Sequence, residues 1–117
     1  MSTRRERSLH LTAELQRAYS RGGNFHADEG AARAVGLPGL VAQGMQVASP
    51  AYGILLDAWG EQLLSASELE LTFVSMVTAG ETVDAAVDAE EDSAELKVTA
   101  RGSTRPAVVG RARLRRG

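Results

Sequence analysis

At 117 residues, 44% of them apolar and 24% charged, the chain has the length of one domain, 1–117, and should bury roughly two thirds of its unfolded surface. A formal net charge of −2 gives no general pull toward nucleic acid or anionic membrane, and the lack of cysteine excludes disulfides, thiolate metal sites and a cysteine nucleophile. The N-terminus, MSTRRERS, is basic with no apolar run behind it, so it does not read as a signal peptide and the expected location is the cytoplasm.

In chain order, Arg7 to Leu11 reads as a short strand. Thr12 then caps a helix over Ala13 to Tyr19, with Leu15, Ala18 and Tyr19 on one side. Arg21 to Ala27 is loop, broken by Gly22 and Gly23. Asp28 is a natural N-cap for a short helix over Glu29 to Val35 that stops at Gly36, and Gly36-Leu37-Pro38-Gly39 is a turn. The next stretch, GMQVASPAYGILLDAW from Gly44 to Trp59, is apolar on nearly every face, which predicts a helix buried all round. Its length of about 15 residues falls short of the roughly 20 that a membrane span needs. Pro50 is expected to kink or restart it.

After Ser65 the period becomes two. Leu69, Leu71 and Phe73 alternate with Glu68, Glu70 and Thr72, and three further runs, from Val83, Leu96 and Val108, do the same. Turns fit between them at Thr78 to Glu81, Glu91 to Ser93 and Gly102 to Pro106. Each strand has one apolar face and the helix needs wrapping, so an antiparallel sheet should curl around it, an α+β architecture. Four strands are clear and the one at Arg7 is a candidate fifth. A sheet of that size keeps an open edge, which a C2 dimer would close. The acidic run from Asp84 to Glu95 and the arginine-rich run from Arg101 to Arg116 read as solvated hairpin faces that attract one another, or else as an arginine rim for a phosphorylated ligand.

Between Gly22 and Met45, GGNFHADEGAARAVGLPGLVAQGM sets one histidine among glycine-rich turns. Glycine lets a backbone N–H approach another group closely, and a helix that starts at such a glycine offers free donors. His26-Ala27-Asp28, Ala31 and Ala32, Gly36 to Gly39 and LVAQGM from Leu40 to Met45 follow a known signature in order and spacing: GDxNPxHxD, an alanine, then a glycine pair and an apolar run ending in Ala-x-Gly-Met. Together with LTFVSMVTAGET, similar to a strand and PGDT-like turn, they make Ser20 to Thr82 resemble the MaoC-like hydratases and dehydratases. That resemblance implies a hot-dog fold with a curved antiparallel sheet around one long central helix. It also implies a substrate that is an acyl thioester of coenzyme A or acyl carrier protein, no cofactor and no metal, and a homodimer or a heterodimer with another hot-dog subunit.

The resemblance also implies roles. His26 would do acid–base work near neutral pH, and the Gly44 N–H would face the thioester carbonyl. Gln43, Met45, Tyr52 and Trp59 would meet the substrate. Counted back from His26, the family's aspartate falls on Arg21 and its asparagine on Gly23; one deleted residue would move the asparagine onto Asn24 and still supply no aspartate. In that family the aspartate and histidine together hold the water. Asn24 could orient water without accepting its proton, and Arg21 would disfavour an imidazolium or bind a carrier phosphate. Asp28 reads as a helix cap. Plainer readings stand beside these: His26 bonded to loop backbone, Gly44 as a tightly packed helix start, Tyr52 and Trp59 as core, and His10 as structural, with no partner in sequence. Three functions compete. They are a hydratase or dehydratase, a non-catalytic subunit paired with a catalytic one, and a thioesterase, which would want a carboxylate where Gln43, Gln46 and Ser49 stand.

Overall fold

The computed structural model describes residues 3–19 and 41–115. Five strands form one antiparallel sheet: β1 Thr3–His10, β2 Ser67–Phe73, β3 Thr82–Ala89, β4 Ser93–Ala100 and β5 Pro106–Leu114, in the order β1-β3-β4-β5-β2. Helix α1 spans Ala13–Tyr19, α2 Gly44–Trp59 and α3 Glu61–Ser65. The alternating runs are the strands, and their apolar faces meet α2: Leu55, Val83, Val87, Val98 and Val108 are wholly buried together. Each such side chain contributes about 1.5–3 kcal/mol by leaving water. Gly80 and Gly102, at φ 93° and 90°, take the left-handed conformation that the turns before β3 and β5 require. Glu81 braces the first turn, its Oε2 accepting from the Thr78 N–H at 2.7 Å.

The fifth strand is real and longer than Arg7 to Leu11. It escapes an apolar pattern because its helix-side positions, read from the register opposite Val87, Ala85 and Val83, are Arg5, Arg7 and Leu9. Inward-pointing charge is a common property of an edge strand. Arg7 reaches across α2 to Asp57 at 2.6 Å. It passes over Gly53, where any Cβ would run into Arg7 Nη1. His10, whose neighbourhood the sequence left blank, has its Nδ1 2.9 Å from the Thr82 hydroxyl across the β1–β3 pair.

Helix α2 has the predicted bounds but is not buried all round. Its backbone lies closest to β3 and β1, which leaves Met45, Ser49, Leu56 and Asp57 exposed along the opposite side. Pro50 does not break it. A proline there removes the N–H that would bond the Gln46 carbonyl, and the Ser49 hydroxyl donates to that oxygen instead, at 2.6 Å. In α1 the Thr12 cap is present, its Oγ1 accepting from the Leu15 N–H at 3.0 Å. Of the expected face, Leu15 and Ala18 are outward and the Tyr19 side chain lies outside what is described; among the described side chains of α1, Gln16 is the one enclosed. The helix at Glu29 and the turn at Gly36 lie outside the described residues.

Three of the C-terminal arginines pair with acids, and of these only Arg101 does so with the acidic run. Arg111 and Arg113 take Glu70 (3.7 Å) and Glu68 (2.6 Å) on β2, while Arg101 takes Asp84 (2.7 Å). Hydrogen bonds from Arg101 and then from the Ser8 hydroxyl lower the Asp84 carboxyl from 3.8 to about 2. A carboxyl with a depressed folded pKa adds stability that is full above its unfolded pKa and is lost as pH falls through the folded one. Asp84→Asn should therefore flatten the acid loss of stability between pH 3.8 and about 2, by a small margin because the pair is exposed and screened. Urea midpoints across that range check it; parallel curves for the two proteins would remove the pair from the ledger.

Candidate active site

The start of α2 is held by backbone on two sides. Ala42 N–H donates to Val77 O at 2.8 Å, and the segment behind Val77 is tied to β5 by Val74 N–H to Ala107 O at 2.7 Å. Gln43 precedes the helix in an extended conformation, φ −64° and ψ 142°, without side-chain capping, and no acid stands in the first turn. The leading N–H groups of a helix have no acceptor inside it and carry the positive end of its dipole. Here they open on a cavity of about 570 Å³ walled by Val41, Val47, Phe73, Val74, Met76 and Val108, where among the described residues Ser75 and Gln43 are the polar side chains and none is charged. An oxygen with partial negative charge is the chemical group such a wall suits.

Phe73 shapes this site more than any residue the sequence singled out. Its ring lies against the first turn of α2, so that a Cβ on Gly44 would come within 2.7 Å of two ring carbons. Gly44 is therefore a close approach as well as a helix start. Phe73 is nevertheless 51% exposed, and Met45 and Met76 beside it are 45% and 59% exposed. Together they make an apolar, adaptable rim. Beside Met45 an apolar crevice of only about 10 Å³ lies between α2 and the sheet, among Ala48, Tyr52, Leu55, Leu69 and Leu71.

Of the anticipated residues, Gly44, Gln43 and Met45 meet in the cavity and Tyr52 lines the crevice. Trp59 does not join them. It sits 15 residues further along the helix, about 22 Å away at 1.5 Å per residue, buried with its indole N–H directed at Glu90 O, 3.4 Å away. His26, Asn24 and Arg21 lie outside the described residues. Missing from the sequence reading were Phe73 as a wall of the site, since strand alternation alone placed it in the core, and the buried pair Gln16 and Gln46. A larger depression, about 770 Å³, lies on the other face of the sheet among Glu68, Glu70, Glu95, Arg111 and Arg113. Its two arginines are taken by Glu70 and Glu68, and Asp88, Glu90 and Glu95 add further acid to its lining, so it offers no unpaired cation to an anionic ligand. Among the described residues no cluster of His, Asp or Glu could hold a metal, and no helix is long and apolar enough to cross a membrane.

Known proteins supply the context. No curated protein sequence matches the chain. Among solved structures, the (R)-hydratase from A. caviae involved in PHA biosynthesis superposes with a TM-score of 0.74 at 21% identity, over 97% of this chain and 95% of that one. The ChsH1–ChsH2 complex from Mycobacterium tuberculosis gives 0.72 at 14% identity, over 97% of each chain. The HadBC 3R-hydroxyacyl-ACP dehydratase complex, also from Mycobacterium tuberculosis, gives 0.71 at 19%, over 95% and 93%. At these identities the likeness establishes the hot-dog fold. A family model described as MaoC like domain matches residues 2–108, nearly the whole length, and the chain therefore belongs to the MaoC-like dehydratase family.

Proposed function

We propose that the chain binds a 2-enoyl or 3-hydroxyacyl thioester with its carbonyl oxygen at the Gly44 N–H, and interconverts the two by adding or removing water. The observation that carries this reading is the start of α2, without a side-chain cap, opening into a cavity whose described lining is mostly apolar and uncharged. In the hydration direction the water oxygen bonds to the β carbon, and the alkene electrons move through the α carbon onto the thioester oxygen. A proton lost from the water is matched by one delivered to the α carbon. The Gly44 N–H stabilises the enolate-like oxygen, the electrostatic part of such catalysis, and His26 moves the protons. The acyl chain lies against Met45 and Phe73 in the cavity. The thioester is carried by coenzyme A or acyl carrier protein, and the protein works in the cytoplasm.

A homodimer or hot-dog heterodimer fits the edges of the sheet. Of the two edge strands among the described residues, β2 has the apolar helix-side face, with Leu69 and Leu71 partly buried and Phe73 half exposed, whereas β1 is fenced by arginines. Pairing through β2 would cover the open flank of α2. Sedimentation at micromolar concentration should give a dimer, and a well-folded monomer would refute that assembly.

A second reading has its own observation. Arg21 stands where the family keeps the aspartate that helps hold water, which suits a non-catalytic subunit whose partner supplies the acid–base pair. Both readings are tested by mixing the purified chain with a 2-enoyl thioester and following loss of the conjugated absorbance. Turnover by the chain alone supports the hydratase; binding without turnover, with activity on adding a homologous subunit, supports the second reading. No binding in either setting would sink both.

A further inference from the structure

Among the described residues β2 ends the sheet on the side away from β1. Which of its backbone groups face outward follows from its inner side. Arg115 N–H donates to Ala66 O at 2.6 Å and Val74 N–H to Ala107 O at 2.7 Å, and the β2–β5 register between them is unbroken. In an antiparallel pair alternate residues turn their N–H and C=O toward the same neighbour, so Glu68, Glu70 and Thr72 face β5, while Leu69, Leu71 and Phe73 turn theirs to the edge. The side chains alternate as well. Glu68 and Glu70 lie on the outer face with Arg113 and Arg111, and Leu69 and Leu71 pack on the core side. Phe73, whose ring lies against Gly44, ends that inner row 51% exposed, and Val74 behind it is 39% exposed.

We infer that a second copy pairs with this edge in an antiparallel register centred on Leu71, which sets the partner's Leu69 beside Phe73 and makes it part of the wall of the candidate site. The inference rests on the β2 assembly proposed above and adds its register. Continuing the sheet with both central helices on one side pairs residues of the same face, so the two-fold axis passes through a residue of β2. Centred on Leu69, the axis sets Glu68 opposite the partner's Glu70; centred on Glu70, it sets the two Glu70 side chains opposite each other. Like charges directly opposite weaken a sheet. Centred on Thr72, it pairs only Leu71 to Phe73 of a strand that runs from Ser67. Centred on Leu71, it pairs Leu69 to Phe73 with no like charges opposed. Glu70 then meets Thr72, whose hydroxyl can donate to the carboxylate, and Leu69 meets Phe73. The edge-facing N–H and C=O groups of Leu69, Leu71 and Phe73 all gain partners, which removes an exposed strand edge. The strand is its own complement in this register, and the occupant is therefore a second copy. A leucine on the outer side of the Phe73 ring holds that ring toward Gly44.

The chain has no cysteine, so introduced cysteines report alone. Leu71→Cys should link two copies under copper-catalysed air oxidation, because facing residues of a hydrogen-bonded pair stand about 5.5 Å apart at Cα, within the roughly 4.4–6.8 Å that a disulfide spans. Glu70→Cys should not link, since the two positions would lie diagonally at about 8 Å, from about 3.4 Å of rise per residue and about 4.5 Å across the pair. Leu69→Cys and Phe73→Cys, each unable to link with itself, should link when mixed. A dimer that links through Glu70→Cys or through Leu69→Cys alone would overturn the register and keep the β2 assembly; a monomer in sedimentation, or a dimer that links at none of these positions, would overturn both. Should Leu71→Cys not fold, Glu70→Gln decides. Its dimer dissociation constant should match the parent's, whereas a register with Glu70 opposite an acid would tighten by up to about fivefold on losing the repulsion. None of these readouts is turnover, so a linked dimer that hydrates nothing upholds the register and counts against the catalytic reading alone.

Discussion

Gly44→Pro, made in a Phe73→Ala background, should lower hydration of a 2-enoyl thioester by about 100- to 1,000-fold relative to Gly44→Ala in the same background. The background is needed because the Phe73 ring leaves no room for a Cβ at Gly44, so either substitution alone confounds a clash with a lost donor. With the ring trimmed, alanine and proline at position 44 differ chiefly in the N–H. Proline suits the first helical position, and the residue before it must be extended, which Gln43 already is at φ −64° and ψ 142°. Helix α2 should thus survive, as circular dichroism would verify. Equal turnover in the two double variants would leave Gly44 as a packing glycine and remove it from the chemistry. Phe73→Ala by itself should widen the range of acyl chains accepted, since that ring walls the mouth of the cavity.

What the sequence made legible follows from which forces dominate locally. Helix α2 could be bounded to the residue because a dense apolar run begins and ends at glycine, and β2 to β5 could be placed because one face of each is apolar, which imprints a period of two. Strand β1 could not, since an edge strand needs no apolar face and here presents Arg5 and Arg7 toward the helix side. The buried face of α1 was misjudged for a related reason. Hydrophobicity points to Leu15 and Ala18, whereas the enclosed side chain among those described is Gln16, a polar residue that leaves no apolar period to read. The helix start at Gly44 was visible as a motif, but the ring that closes over it comes from a strand 29 residues later, and only tertiary structure brings the two together.

Arg21→Asp should raise the activity of the chain on short and medium 2-enoyl thioesters, and Gly23→Asn added to it should raise activity further. In the ungapped alignment to the family signature these changes restore the aspartate and asparagine five and three residues before His26. The physical argument is local to the imidazole. A guanidinium nearby disfavours the protonated ring, weakening it as a proton donor, whereas a carboxylate favours that form and also accepts a hydrogen bond from the water to be added. In the restored protein, His26→Ala should then cut turnover by about 100-fold or more, the ordinary reach of general acid–base catalysis. A restored variant that folds and binds an enoyl thioester but stays as inactive as its parent, alone and with a homologous subunit, would reduce the family likeness to a shared fold. High activity in the unmodified chain that Arg21→Asp lowers would place a different residue opposite His26, and Asn24 would be the next to replace.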